Sequence, residues 1–235
     1  MAAPPTIHLV CSDRDGNGKT LLARILVDFL LANDRDPFCF DLGAPRGKLR
    51  GYFPGRTALV DFAQPEGRDK LLSTLLDRPG RDYVIDVPAA QLAELCEAAK
   101  GAGLTATAHA KGSAIAVLYI VDNDEASLET AVTLEQILSP DLFVPVANRF
   151  IGSALPEGVP GPVLLMDKLH PDLESIIAHR HFSLLAFLLG DEESVPSRFR
   201  ATLKAFLQRL IAAMNGFEAA LAPETVLRTD HGNGV

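Results

Sequence analysis

The residues best suited to chemistry stand together near the start of the sequence, in Cys11-Ser12-Asp13-Arg14-Asp15-Gly16-Asn17-Gly18-Lys19-Thr20. A short β-rich run, Thr6 to Ser12, precedes them. An amphipathic stretch from Lys19 to Asn33 follows, with Leu22, Ile25, Leu26, Phe29 and Leu30 on one helical face. Gly-x-Gly-Lys-Thr at such a strand-to-helix turn is the core of a phosphate-binding loop. Glycines let main-chain N–H groups wrap a β-phosphate, and the helix start adds unpaired donors and the positive end of its dipole. Lys19 is placed to reach the β- and γ-phosphates, and the Thr20 hydroxyl to bind Mg²⁺. The usual spacing has its first glycine five residues before the second, and here Asp13 holds that place. Asp13 and Asp15 repel an anion, whereas Lys19, Arg14, Mg²⁺ and the helix dipole attract one. Asp13 is expected at the partly solvated mouth of the loop. Asp15 must point away from the nucleotide, in a backbone conformation that Asp tolerates better than most residues.

The elements that must position this loop alternate in type. Strand-like runs are Thr6 to Ser12, Phe38 to Asp41, Thr57 to Phe62, Asp82 to Val87, Leu104 to His109, Ala114 to Val121, Leu142 to Asn148 and Pro162 to Met166. Helical periods fall at Arg68 to Leu76, Ala89 to Ala102, Glu125 to Leu138, Pro171 to Leu189 and Pro196 to Phe217. Such alternation predicts a three-layer, doubly wound α/β fold with a mostly parallel sheet and C-terminal helices. One domain over residues 1–222 is expected, with its helical part at about 171–217 and a flexible tail at 223–235.

At this point the chain resembles the ParA/MinD group of P-loop ATPases, whose deviant Walker A loop reads G-K-G-G-x-G-K-S/T. Asp13, Arg14, Asp15, Gly16, Asn17, Gly18, Lys19 and Thr20 occupy those places. The resemblance implies nucleotide contacts from Asp15 through Gly16, Asn17, Gly18, Lys19 and Thr20 to Leu21. The family's first lysine reaches across a dimer interface to the partner's nucleotide. Arg14 holds its place, and either acts in trans or pairs with Asp13 or Asp15. Phe38-Cys39-Phe40-Asp41-Leu42-Gly43-Ala44-Pro45 matches a strand ending in D-x-D-P. Asp41 takes the first acidic place, whereas Gly43 replaces the carboxylate that orients the attacking water in the family. Asp82-Tyr83-Val84-Ile85-Asp86-Val87-Pro88 is similar to the second acidic strand, where Asp86 would hold Mg²⁺ through water. Phe143-Val144-Pro145-Val146-Ala147-Asn148-Arg149 is similar to the strand ending in Asn-Arg, where Asn148, followed by Arg149, would read adenine. The resemblance covers about residues 6–168. Within the group, Phe40-Asp41, Gly51-Tyr52 and His109 are similar to plasmid-transfer members of the StbB/TraL kind.

Composition bounds the remaining readings. A formal charge of −8 over 235 residues argues against broad nucleic-acid binding. Cys11, Cys39 and Cys96 are too few and too scattered for a disulfide frame or a Cys-x-x-Cys metal site, and are expected to pack as small hydrophobes. His179-Arg180-His181 has the wrong spacing for two ligands on one helical face. The longest apolar runs, Ala114 to Val121 and Phe182 to Leu189, fall far short of the roughly 18–20 residues a membrane helix needs. The amino terminus carries no basic-then-apolar signal pattern, so a cytoplasmic location is expected. Acidic Asp122-Asn123-Asp124-Glu125 and Glu192-Glu193 read as solvated turns, and the first of them also starts a helix whose dipole its carboxylates suit. The apolar stripe Phe199, Leu203, Phe206, Leu207, Leu210, Ile211 and Met214 reads as packing on the sheet or a second subunit. Its interspersed Arg198, Arg200, Lys204 and Arg209 leave membrane docking as the rival reading.

These observations converge on an ATP- and Mg²⁺-binding switch with slow hydrolysis, nucleotide-dependent homodimerisation and a protein partner or cargo. Lys19, Arg14 and Asp41 are the candidate catalytic residues, and Thr20 and Asp86 the metal ligands. The alternatives are a non-hydrolysing nucleotide-binding scaffold and a ligase or kinase of the dethiobiotin-synthetase kind.

Overall fold

Buried apolar runs and amphipathic helices alternate along the chain because each parallel strand pair needs a crossover to bring the chain back to the same edge. The computed structural model describes residues 3–149, 161–179, 182–190 and 195–222. In chain order they form β1 (Thr6–Cys11), α1 (Lys19–Ala32), β2 (Phe38–Asp41), α2 (Leu49–Tyr52), β3 (Thr57–Leu59), α3 (Pro65–Asp77) and β4 (Tyr83–Asp86). A 3₁₀ turn (Ala89–Gln91) leads into α4 (Leu92–Gly101), α5 (Leu104–Ala110), β5 (Ala114–Val121), α6 (Glu125–Leu138) and β6 (Leu142–Asn148). Then come β7 (Leu164–Met166), α7 (Pro171–His179), α8 (Leu184–Leu189) and α9 (Ser197–Leu221). The seven strands form one sheet in the order β3-β2-β4-β1-β5-β6-β7, and every neighbouring pair is parallel.

Alternate side chains divide the interior into two layers, as the strand period of two requires. Val10, Val84, Leu118 and Val144 face α1, α7, α8 and α9 on one side. Leu9, Ile85, Val117 and Phe143 face α3, α4, α5 and α6 on the other. The two layers make the sheet a rigid platform, and its carboxyl edge carries the loops. β2, β4 and β6 end on Asp41, Asp86 and Asn148, so the three polar candidates from separate segments are brought to one edge.

Leu104 to His109, expected as a strand, is the helix α5. Gly103 enters it with a left-handed backbone (φ 57°), and Leu104 and Ala108, one turn apart, are its buried residues. The Thr-Ala-Thr-Ala alternation imitated a strand, but alanine favours helix and only one face is covered. Pro171 to Leu189, expected as a single helix, is two, and Ser183 caps the second by accepting from the Ala186 N–H at 3.1 Å. The strand expected from Thr57 to Phe62 ends at Leu59, and the short α2 gave no sequence signal. The apolar stripe of α9 is turned inward, with Phe199, Leu203, Phe206, Leu207, Leu210 and Met214 buried in the core on one side of the sheet. All three cysteines are free and buried. Arg180, His181, Glu192, Glu193 and the tail at 223–235 lie outside the described residues. Among those described, no helix is long and apolar enough to cross a membrane.

Candidate nucleotide site

The loop between β1 and α1 is a left-handed entry into a helix. Gly16 (φ 78°) and Gly18 (φ 102°) hold backbone that side-chain-bearing residues rarely adopt, and Gly18 is the residue before the first helical one. A Cβ on Gly18 would also lie 2.9 Å from Asn148 Nδ2, so a larger residue there would have to displace the Asn148 amide. The first N–H groups of α1 have no intrahelical acceptor, as at any helix start.

Polar contacts tie the two halves of the loop to different supports. The Ser12 hydroxyl donates to the Ile120 carbonyl at 2.8 Å and receives the Asn17 side-chain amide. Asp13, half-buried, accepts from the Ser127 hydroxyl at 3.0 Å and from Ser12 at 3.3 Å. Arg14 pairs with Asp122 at 2.7 Å and with Asp124, so its partners lie at the start of α6 and are neither Asp13 nor Asp15. Asp124 in turn caps α6, accepting from the Ser127 N–H at 2.8 Å. The acidic cluster thus starts α6 as expected, and Asp122 and Asp124 hold Arg14 besides. The Asp-x-x-Ser capping spacing was the signal that marked them.

Asp15 is exposed, and its backbone does not take the left-handed conformation expected of it. It accepts from the Ala89 N–H at 3.2 Å, just beyond β4, and this bond above all holds its carboxyl below the ordinary range. Its other neighbour is Lys19, 3.3 Å away. The Lys19 ammonium is folded inside the loop, against the Arg14 carbonyl oxygen and 3.4 Å from Asn17 Oδ1.

On the other side of the loop, the Thr20 hydroxyl donates to Asp86 Oδ2 at 2.7 Å. Asp86 is buried and pushed up to about 6, by burial first and by the neighbouring Asp41 charge as well, against the Thr20 hydrogen bond. Asp41 pairs with Asp86 in strand register, but its carboxylate is committed to its own loop. Oδ1 accepts from the Gly43 N–H at 3.0 Å, and Oδ2 from Leu49 and Arg50 at 2.8 and 3.4 Å. Asn148 is buried and donates its amide to the Asn17 carbonyl at 2.7 Å. Arg149 turns away, with its N–H on the Met166 carbonyl and its exposed guanidinium 3.4 Å from Asp167. Leu21 is partly buried on the first turn of α1.

The donor set fits a nucleotide with a hard cation. A hydroxyl and a carboxylate 2.7 Å apart suit Mg²⁺, which takes one or two protein oxygens and completes its shell with phosphate and water. No cluster of three or more His, Cys, Asp or Glu able to hold a metal occurs among the described residues. A metal there depends on ligands from the nucleotide.

No protein-family model matches the sequence, and neither does any curated protein. Among solved structures, the MinD cell division protein of Aquifex aeolicus matches over 90% of this chain and 97% of its own, with a TM-score of 0.51 and 15% identity. The chain therefore has an α/β fold like that of this MinD protein, with a seven-stranded all-parallel sheet.

Proposed function

We propose that the chain is an ATP- and Mg²⁺-binding switch of the ParA/MinD type, with a deviant Walker A loop. In this reading it dimerises around nucleotide, hydrolyses it slowly and positions or partitions a cargo. One observation carries it. At the carboxyl edge of a parallel sheet, the Lys19 ammonium lies inside a loop with two left-handed glycines, one residue before a hydroxyl bonded to a strand-end carboxylate. Backbone N–H groups from Asp15 to Leu21 and the Lys19 ammonium bind phosphates. Thr20 and Asp86 orient the metal, and Asn148, packed on Gly18, lies beside the loop where a base would stack. Mg²⁺, when bound, neutralises phosphate oxygens as charge builds on them. Arg14 is half exposed, so it can exchange Asp122 and Asp124 for a partner's phosphate.

Slow turnover follows from the β2 end. Gly43 offers no carboxylate, and Asp41 uses both oxygens to hold backbone amides, so neither orients a water well. The same fact favours a second reading, a nucleotide-binding scaffold without hydrolysis. The branch resembling StbB/TraL proteins is a finer expectation, resting on Gly51-Tyr52 and His109.

Calorimetry with ATP, ADP and GTP, with and without Mg²⁺, tests the binding claim. ATP bound only by the wild type, and not by Lys19→Ala, supports it. Equal turnover by the two proteins removes the enzyme and leaves the scaffold.

A further inference from the structure

The Lys19 ammonium has three N–H donors, and three oxygens surround it. They are the Arg14 carbonyl oxygen, Asp15 Oδ1 at 3.3 Å and Asn17 Oδ1 at 3.4 Å. The lysine side chain is only 7% exposed, so a phosphate reaches the ammonium by taking the place of one of these oxygens. Two of the three are fixed. The Arg14 carbonyl belongs to the main chain, and the side chain of that residue is paired with Asp122 and Asp124. Asn17 is buried, and its amide nitrogen is bonded to the Ser12 hydroxyl.

Asp15 differs from both. It carries a full negative charge, and its side chain is 74% exposed, so it can turn into water at little cost. The same Oδ1 also accepts the Ala89 N–H at 3.2 Å, from the 3₁₀ turn beyond β4. One anionic oxygen thus lies between the ammonium of the loop and a backbone N–H of a second element, a pair of donors that suits a phosphate oxygen equally well. The backbone of Asp15 is not left-handed, so the turn itself does not require an aspartate at this place.

We propose that the Asp15 carboxylate is an internal stand-in for phosphate, which neutralises Lys19 in the free chain and is displaced into solvent by an incoming nucleotide phosphate. The proposal rests on the nucleotide-binding reading above. A buried ammonium without a counter-charge is costly, and Asp15 supplies one until the ligand does. The exchange is of one anionic oxygen for another, so Lys19 is never left unpaired. Its consequence is competition. Any polyphosphate, whatever base it carries, binds against Asp15 and therefore more weakly than the loop alone would allow.

The test is calorimetry on the full chain with Mg²⁺, using ADP, a non-hydrolysable ATP analogue and inorganic tripolyphosphate. Asp15→Ala is expected to tighten all three about tenfold, the size of two partly screened polar contacts. Asp15→Asn keeps the acceptor without its charge, and is expected to tighten them by less. Asp13→Asn removes the same charge from an oxygen that bonds Ser127 rather than Lys19, and is expected to leave every affinity within about twofold. Asp15→Ala binding no more tightly than wild type overturns the proposal. So does an equal gain in Asp13→Asn, which would make net charge alone responsible. If wild type and Asp15→Ala both bind none of the ligands, the nucleotide reading and the proposal fall together. A wild type that binds, with Lys19→Ala losing the ligands and Asp15→Ala gaining nothing, overturns the proposal alone.

Discussion

Lys19 and Arg24 stand five residues apart on the same helix, are both buried, and are held in opposite ways. All the polar partners of the Lys19 ammonium lie within the preceding loop, between Arg14 and Asn17, and two of them are 3.3 and 3.4 Å away. The partners of Arg24 come from far along the chain. Its guanidinium donates to the Ile177 carbonyl at 2.8 Å and to that of Phe182, and lies 4.1 Å over the Tyr52 ring. One turn later Asp28 completes the arrangement, accepting from the Leu184 N–H at 3.0 Å and the Ser183 hydroxyl at 3.4 Å. Contacts confined to one loop are ones a phosphate can displace without disturbing the fold. Contacts that join α1 to α2, α7 and α8 cannot be given up without loosening all four. One helix thus carries a cation for a ligand at its start and a cation for the fold in its second turn.

Arg24→Ala is the sharpest way to break this contrast, and the largest effect is expected there. It takes the donor from the Phe182 carbonyl, leaves the Ile177 carbonyl only the Tyr52 hydroxyl at 3.5 Å, and strips the Asp28 carboxyl of its counter-charge, at a cost of about 3–5 kcal/mol. Arg24→Met, which refills the space between Tyr52 and Phe182, should recover part of that. Denaturant unfolding of the three proteins decides it, and a loss below about 1 kcal/mol in Arg24→Ala would show that the guanidinium is not structural. Lys19→Ala is expected to do the reverse. Its stability should stay within about 1 kcal/mol of wild type, because only loop contacts are lost, while ATP affinity falls about a hundredfold.

The contrast also marks what the sequence made legible. Strand runs such as Ala114 to Val121, buried at every position, could be read directly, and so could the loop, because glycine, lysine and threonine at fixed spacing have a local cause. The strand ends Asp41 and Asp86 were readable for the same reason. Long-range commitments were not. Nothing near Arg24 in sequence announces an acceptor 153 residues away, and nothing near Arg14 announces Asp122, 108 residues on. Asp41 is the clearest case. Its type and place suggested catalysis, but its oxygens serve amides that only the folded β2–α2 segment presents. The error at α5 has a different origin, since a sequence of alternating Thr and Ala satisfies both periods and burial alone decides between them.

Acid titration separates the two ends of the helix further. Burial pushes Asp28 from its ordinary 3.8 up to about 6, in spite of the nearby Arg24 charge. Between those values the folded chain binds more protons than the unfolded one. Ionised Asp28 therefore opposes folding above pH 6, and the penalty fades as the pH falls toward 4. Asp28→Asn removes it at every pH. The stability of wild type relative to this variant should accordingly improve by about 2–3 kcal/mol between pH 7 and pH 4. A difference that stays flat across this range would mean the carboxyl is not displaced upward. At the loop end the sign is opposite. The depressed carboxyl of Asp15 contributes above its ordinary range and loses that contribution as acid protonates it, although its exposure keeps the effect small.

The smallest effect is expected at Arg14, the third cation in this stretch. Its side chain is 50% exposed, and its partners Asp122 and Asp124 are 19% and 40% exposed, so water screens both pairs. Arg14→Ala should change stability by less than about 1 kcal/mol. Asp124→Ala should cost about 1 kcal/mol, because it also removes the cap from α6. A double-mutant cycle between them should give a coupling below about 1 kcal/mol, weaker still in high salt. A loss in Arg14→Ala approaching that of Arg24→Ala would mean that exposure does not govern how these cations are used. Sedimentation of the same variant then asks what the weak pairing is for. If Arg14 serves a partner's nucleotide, ATP should shift wild type toward a dimer and leave Arg14→Ala a monomer of unchanged stability. An ATP-dependent dimer that survives the substitution assigns Arg14 to the α6 junction alone.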